Sequence, residues 1–490
     1  MADRKYNNKF IILHVILFVI ITILIISTVA SDSTLEAPTS DDTQYIIMGY
    51  NIQKYGTFSI DDSDIENPET TAYREPGFPA YLALCIKLHP ILNSMSLDEM
   101  LDQGLKILRY LQIPLIIITA FLAMYLAYIF TRNWLLAYIV LLLTGFSEVM
   151  SIIANHLLSE NLAALFIILC SLSLYKIYET KRIVYFILMG ISLAVLTLTK
   201  AIFMYFIVIV LIILIILLFK YAWKNKKKFI TGIALFTVIY SVIVGGWMFR
   251  NYVHFNQWTI ANKGGIVLYY RSKLDTMTTK EFMASFIYWL PGENLKEKLL
   301  DKFFDEEDYI RLNKSMDNEE GYRRLVRNDL QNLIDSYRNQ GYEEQDANLY
   351  ADRDLRKIAI KNIMNNPLRH IIISIPAAWI GLWVETGYKV VLVNQNAFFI
   401  EFRSALFIPL ILYACFFASA IWSIIKKKWG ILLFLIPSLY LYLMNSFVTH
   451  GKERYNYPLI PILNISVILI IFFIINKIKE KKALKTYKES

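Results

Sequence analysis

Ten apolar runs leave this chain little choice of solvent. They lie at approximately 10–30, 107–130, 134–153, 160–178, 183–199, 201–219, 229–247, 404–425, 430–447 and 457–475. Each approaches the ~20 residues with which an α-helix crosses ~30 Å of hydrocarbon. Of the 490 residues, 56% are hydrophobic, more than a water-soluble fold of this size can hide. In lipid, backbone groups must be satisfied within their own segment, so each run is expected to be a helix. The fold class that follows is an all-α polytopic membrane protein with about ten (10–12) spans. The first run, Phe10–Ala30, exceeds the apolar core of a usual signal peptide and is expected to stay in the fold.

Charge decides which loops lie together. Arg4, Lys5 and Lys9, then Arg132, then Lys176, Lys181 and Arg182 fall in alternate connections. Lys220, Lys224, Lys226–Lys228, Lys426–Lys428 and a tail running from Lys477 to Lys488 continue the series. The positive-inside rule then predicts a plasma (inner) membrane protein with both termini cytoplasmic. The Asp41 loop, the Glu160 turn and the 250–400 region are expected outside. The net charge of +9 is thereby a topology signal and points away from nucleic acid. Stretches 78–92 and 368–384 are broken by Lys87, His89 and Pro90, and by Arg369, His370 and Pro376. They are expected to lie in the membrane interface. The charge-rich region 252–366 has helical patterning around 309–333 and 342–364, which predicts a helical appendage. Cys85, Cys170 and Cys415 are too scattered for a disulfide framework or thiolate metal site.

Five short segments on the expected outer side carry unusual polarity. Asp41 and Asp42 follow Ser40, a possible N-cap. Either they favour a helix N-terminus through its dipole, or one of them accepts a proton from an acceptor hydroxyl. Arg74-Glu75-Pro76-Gly77 opens the first interfacial stretch; the charged pair either bridges locally or faces the same chamber as Asp41. His156 and Glu160 stand at a turn between spans, where Glu160 can cap the next helix. Lys200, Arg250 and Arg454 are cations on the side the topology rule leaves acidic, and an anionic ligand accounts for them better than snorkelling does. The Asp352-Arg353-Asp354 triplet has the form of a metal–nucleotide-sugar site but sits where nucleotides are scarce.

Taken in order, these segments resemble the GT-C superfamily of membrane glycosyltransferases, nearest the protein O-mannosyltransferase and lipid A aminoarabinose transferase-like branch. The resemblance rests on Asp41-Asp42-x-x-Tyr45 with Gly56, on Arg74-Glu-Pro-Gly-Phe-Pro79, and on Leu158-Ser-Glu160. It continues through Gly190 to Lys200, Trp247-x-x-Arg250-Asn-Tyr252 with Asn262-x-Gly264-Gly265, and Arg454-Tyr455-x-x-Pro458. It covers roughly residues 1–270 and 400–475. The ordered set carries the resemblance; no single motif does.

The resemblance implies a sugar donor carried on a polyprenyl phosphate, transfer at the extracytoplasmic face, and inversion at the anomeric carbon. The acceptor would be a lipid, glycan or protein hydroxyl. Asp41 would be the catalytic carboxylate with Asp42 beside it. Lys200, Arg250, Arg454 and Tyr455 would hold the donor phosphate, although Lys200 stands where arginine is commoner. Tyr45, Arg74, Glu75, His156 and Glu160 would line the substrate cavity. The resemblance fixes no cofactor and leaves dependence on a divalent metal open, with Glu75 and Glu160 as its candidate ligands. The implied organisation is a transmembrane module over 1–250 with its first outer loop at 31–106, then an outer helical segment at 251–403. C-terminal spans at 404–476 and a basic tail at 477–490 complete it. A transporter or flippase of lipid-linked saccharides is the alternative from another class, and would be expected to show pseudo-repeats or broken spans.

Overall fold

The computed structural model describes residues 8–31, 40–63, 67–221, 226–291, 293–383, 407–449 and 451–489. Among the described residues the regular structure is entirely helical. Nine stretches there are long and apolar enough to span a membrane: Ile12–Ala30, Tyr110–Thr131, Trp134–Asn155, Glu160–Thr180, Ala201–Lys220, Lys226–Phe255, Ile408–Ile425, Trp429–Val448 and Glu453–Leu484. The remaining expected span, 183–199, is the 17-residue helix Ile183–Thr199. It packs between Glu160–Thr180 and Lys226–Phe255. Large apolar side chains such as Val15, Leu135, Ile212 and Val242 face outward, as a lipid solvent requires. The chain is an all-α, multi-pass membrane protein.

Three turns between spans show how charge and geometry coincide. Arg132, Lys181 and Lys427 each adopt a left-handed φ, at 53°, 54° and 54°. Such a residue ends a helix, and a cation there faces the exposed carbonyls of the last turn. Asn133 follows at once and caps the next span, accepting from the Leu135 and Leu136 N–H groups at 2.9 and 3.3 Å. Gly77–Leu88 and Pro367–Leu382, at 12 and 16 residues, are short for a bilayer crossing. The first packs on Ser40–Tyr55 and the second on Trp429–Val448.

The helix Lys226–Phe255 runs for 30 residues, well past the expected end at 247. Its last turns stay helical because buried Asn251 gathers the returning chain. The Asn251 amide donates to the Thr259 and Ile260 carbonyls at 2.8 and 3.2 Å. Beyond it, Gly264–Lys273, Tyr322–Asn339 and Glu344–Asn365 enclose a separate small core that includes Tyr269, Tyr270, Tyr322, Val326 and Leu355. The helix expected from 309 begins only at Tyr322. Over 309–321 the polar side chains bond locally instead: Asn318 donates to the Ile310 carbonyl at 2.7 Å and Asn313 accepts from the Ser315 N–H at 2.8 Å.

Two buried joints fix this segment, the one expected to lie outside. Asp352 accepts from the Gly265 and Ile266 N–H groups at 2.9 and 2.8 Å, capping Gly264–Lys273 from across the segment. Asp354 meanwhile pairs with Lys357 at 2.9 Å, so the acidic triplet works as a structural joint. Arg271, fully buried, holds the segment to the bundle. It reaches Asp275 at 2.8 Å, the His370 carbonyl at 2.9 Å and the Ser446 carbonyl at 3.2 Å. His370 closes the joint between Asp275 Oδ2 at 2.7 Å and the Phe447 carbonyl at 2.9 Å.

Gly265 has no room for a side chain: a Cβ would stand 1.8 Å from the Asp352 carbonyl oxygen. Gly265→Ala is therefore expected to destabilise the outer segment by about 1–3 kcal/mol. Gly245→Ala, where nothing lies within 4 Å, should leave stability unchanged or slightly raised. Thermal unfolding of the two purified variants in detergent makes the comparison.

Candidate active site

The site starts at the first turn of Ser40–Tyr55, whose Ser40 side chain lies outside the described residues. Asp41 projects from this turn between two guanidinium groups. Its Oδ1 lies 2.5 Å from Arg74 Nη2 and its Oδ2 lies 2.8 Å from Arg454 Nη2. Arg74 is held in turn by Gln44 one helical turn on, through its Nε at 2.9 Å and its Nη2 at 2.6 Å. Tyr45 presents its ring face to the same guanidinium at 5.2 Å and packs edge-on to Phe78. Burial alone would raise the Asp41 carboxyl, but the charges and hydrogen bonds of Arg74 and Arg454 outweigh it and hold the group well below the usual carboxylate range.

A second carboxylate extends the array. Glu160 heads its helix with only 1% of its side chain exposed. Its Oε1 meets Lys200 Nζ at 3.0 Å and Arg454 Nε at 3.3 Å. Its Oε2 is buried without a hydrogen-bond partner. Lys200 ends Ile183–Thr199 in an extended conformation, which turns its side chain back toward the Glu160 helix. Charges thus alternate along Arg74, Asp41, Arg454, Glu160 and Lys200, with Arg454 shared by both acids.

A cavity of about 1160 Å³ opens onto this array. Asp41, Tyr45, Arg74, Glu75, Lys200, Arg454 and Tyr455 line it. Four expected residues stand elsewhere. Glu160 lies behind the wall and acts through Lys200 and Arg454. Asp42, 3% exposed, turns away from the cavity and accepts from the Thr43 N–H at 2.7 Å. Arg250 donates to the Thr71 carbonyl at 2.7 Å and to Asn251 at 2.8 Å, bracing the wall. His156 ends the short helix Glu148–Asn155 away from the lining.

Some lining residues carry little signal in the sequence. Gln44 sits at i+3 from Asp41, a spacing that marks it once the helix is known. Lys452 lies two residues before Arg454, and only the chain's return beside the cavity brings it into the lining. Lys314 and Arg323 come from the outer segment, where a basic residue is unremarkable. Among the described residues no three His, Cys, Asp or Glu side chains cluster as metal ligands. Glu75 makes no hydrogen bond or ion pair there, and Glu160 is committed to two cations. The donor set does not fit a resident metal.

The array can do two things: orient a hydroxyl at Asp41, and offer cations to a departing oxyanion. Its positive excess also has a stability cost. Burial, followed by the charges of Arg454, Lys314 and Arg323, pushes the Lys452 ammonium down to about 8, against a smaller pull from Asp41. A lysine lowered on folding destabilises the fold while it is charged. That penalty is complete below pH 8 and fades as pH rises from about 8 toward the usual lysine value. Lys452→Met is accordingly expected to raise the unfolding temperature at pH 7. The gain should shrink progressively above pH 8, as thermal scans across pH will read.

A family model described as a domain of unknown function (DUF6311) matches residues 96–297. No curated protein matches the sequence. Among solved structures, the archaeal oligosaccharyltransferase AglB of Archaeoglobus fulgidus, in complex with an inhibitory peptide and a dolichol-phosphate, is similar with a TM-score of 0.45 and 11% identity. The alignment covers 97% of this chain and 52% of that one, so the chain spans about half the length of the protein it matches.

Proposed function

We propose that the protein is a GT-C-type membrane glycosyltransferase that moves a sugar from a polyprenyl-phosphate donor to an acceptor hydroxyl at the extracytoplasmic face. One observation carries the proposal. Asp41 and Arg454, 413 residues apart in sequence, meet at 2.8 Å in the wall of one cavity, with Lys200 linked to them through Glu160.

The chemistry needs little more. The acceptor oxygen attacks the anomeric carbon as the bond from that carbon to the phosphate oxygen breaks. Attack opposite the leaving group inverts the centre. The hydroxyl proton passes to Asp41, and the polyprenyl phosphate leaves with the bonding electrons. A phosphate is a competent leaving group at neutral pH, so the protein supplies cations for its charge and needs no strong acid.

The ion pairs also suggest an order of events. With both oxygens engaged by guanidinium groups, Asp41 is a poor base. An incoming phosphate competes for Arg454 and Lys200, the two cations bound to the buried Glu160. When Arg454 turns to the phosphate, Asp41 Oδ2 is released toward the acceptor while Arg74 and Gln44 keep the carboxylate in place. Donor binding would thus switch on the base.

Asp41→Asn keeps the shape and removes the proton acceptor. Turnover is expected to fall by about 10²–10⁴-fold, with lipid donor binding retained because Arg454 keeps its charge and loses one of its two carboxylate partners. Mass spectrometry of polyprenyl-linked sugars provides the test, whichever sugar the lipid carries. A strain lacking the protein should accumulate one such lipid, the wild-type chain should clear it, and Asp41→Asn should leave it. Clearance by Asp41→Asn would remove Asp41 from the reaction. Absence of any accumulated sugar lipid would count against lipid-linked transfer altogether.

A further inference from the structure

The cations of the cavity fall into two groups. Arg74, Arg454 and Lys200 are bound to Asp41 and Glu160. Lys314, Arg323 and Lys452 also line the cavity, yet none has an ion pair among the described residues. They stand close together. Lys314 Nζ lies 3.5 Å from the Gly451 carbonyl, beside Lys452, and Arg323 Nη1 donates to the Lys314 carbonyl at 3.1 Å. Gly451, in a left-handed turn at φ 65°, makes the sharp bend that brings Lys452 to them.

Crowding of this kind is unfavourable. Burial lowers the Lys314 ammonium most and Arg323 adds to it, with Glu453 the carboxylate that opposes them. The Lys452 ammonium is lowered by burial and by three like charges. A fold selected for stability alone would place acids or apolar side chains here. Three positive side chains kept together with no carboxylate in ion-pair contact are an incomplete ion cluster, completed when an anion enters. Tyr270 and Tyr455, also in the lining, supply flat walls beside the cluster.

We propose that Lys314, Arg323 and Lys452 form an anion subsite that takes a phosphoryl group, next to the Asp41–Arg454–Glu160–Lys200 array but distinct from it. Three cations in one corner suit a dianion with several oxygens better than a single carboxylate: Arg323 offers a planar fork and the lysines offer point charges. Two of the three members come from the outer segment, so that segment reads substrate charge as well as covering the chamber. The subsite deepens the glycosyltransferase reading in making the substrate doubly anionic or its phosphate doubly held. It rests on that reading only in treating the cavity as a substrate chamber.

Binding, measured without turnover, separates the two claims. Full-length protein in phosphatidylcholine nanodiscs is titrated with undecaprenyl phosphate, with inorganic pyrophosphate and with uncharged undecaprenol. Wild type is compared with the Lys314→Gln/Arg323→Gln double variant, which leaves the Asp41 array intact. Affinity for at least one phosphate probe should fall roughly tenfold or more, while undecaprenol binding and the unfolding temperature are maintained. A loss confined to undecaprenyl phosphate assigns the subsite to a lipid-borne phosphate. A loss that includes or is confined to pyrophosphate assigns it to any phosphoryl group that reaches the cavity, such as one on the acceptor. Unchanged affinity for both phosphates, no wild-type binding of either, or an equal loss for undecaprenol overturns the proposal. Loss of transfer in Asp41→Asn has no bearing on these outcomes.

Discussion

A single guanidinium shared by two carboxylates organises this protein. Arg454 comes from the first turn of the final span, Asp41 from the helix Ser40–Tyr55 and Glu160 from the start of a central span. No local signal in the chain brings these three together; the packing of the bundle must do so. Burying charges costs several kcal/mol per ion unless each is matched, and removing one partner strands the rest. The bundle and the array therefore specify each other. Helices that packed in another register would leave Glu160 buried against nothing positive.

The same principle explains how the outer segment is held. Arg271 is as buried as any core side chain, and its bonds reach three different parts of the chain. Apolar contact alone would let the small helical layer slide over the bundle. A buried cation with directional partners allows one placement, since any shift would leave it unsatisfied. That placement puts Lys314 and Arg323 over the cavity.

Legibility followed contrast. Apolar runs stand out against everything else, so most spans could be read within a few residues, and the 17-residue Ile183–Thr199 sits where it was expected, whereas Lys226–Phe255 and Glu453–Leu484 run on past their apolar runs into polar sequence. Asp41, Lys200 and Arg454 could be read because each breaks the charge pattern of its surroundings. Arg250 breaks the pattern as well, yet its partner is the Thr71 carbonyl, and nothing in a sequence tells a cation for a ligand from one for a backbone oxygen. Adjacent Asp41 and Asp42 were inseparable until the ~100° turn between helical neighbours sent one into the cavity and the other away. Lys314 and Arg323 were hidden by the opposite circumstance, two bases in a segment full of charge. The late start of the helix at Tyr322 has a similar cause: Asn313 and Asn318 offer the backbone local bonds that compete with a helix.

One close approach has a mechanical consequence. Gly77, three residues after Arg74, lies so near the end of Ile183–Thr199 that an added Cβ would be 2.5 Å from Thr199 Oγ1 and 2.8 Å from the Leu198 carbonyl. Thr199 adjoins Lys200. The strap bearing Arg74 and the hinge bearing Lys200 are thus in backbone contact, like two links on one pin. With no free space between them, neither flank of the chamber can shift toward the other without pressing on it, so the positions of Arg74 and Lys200 are sterically coupled.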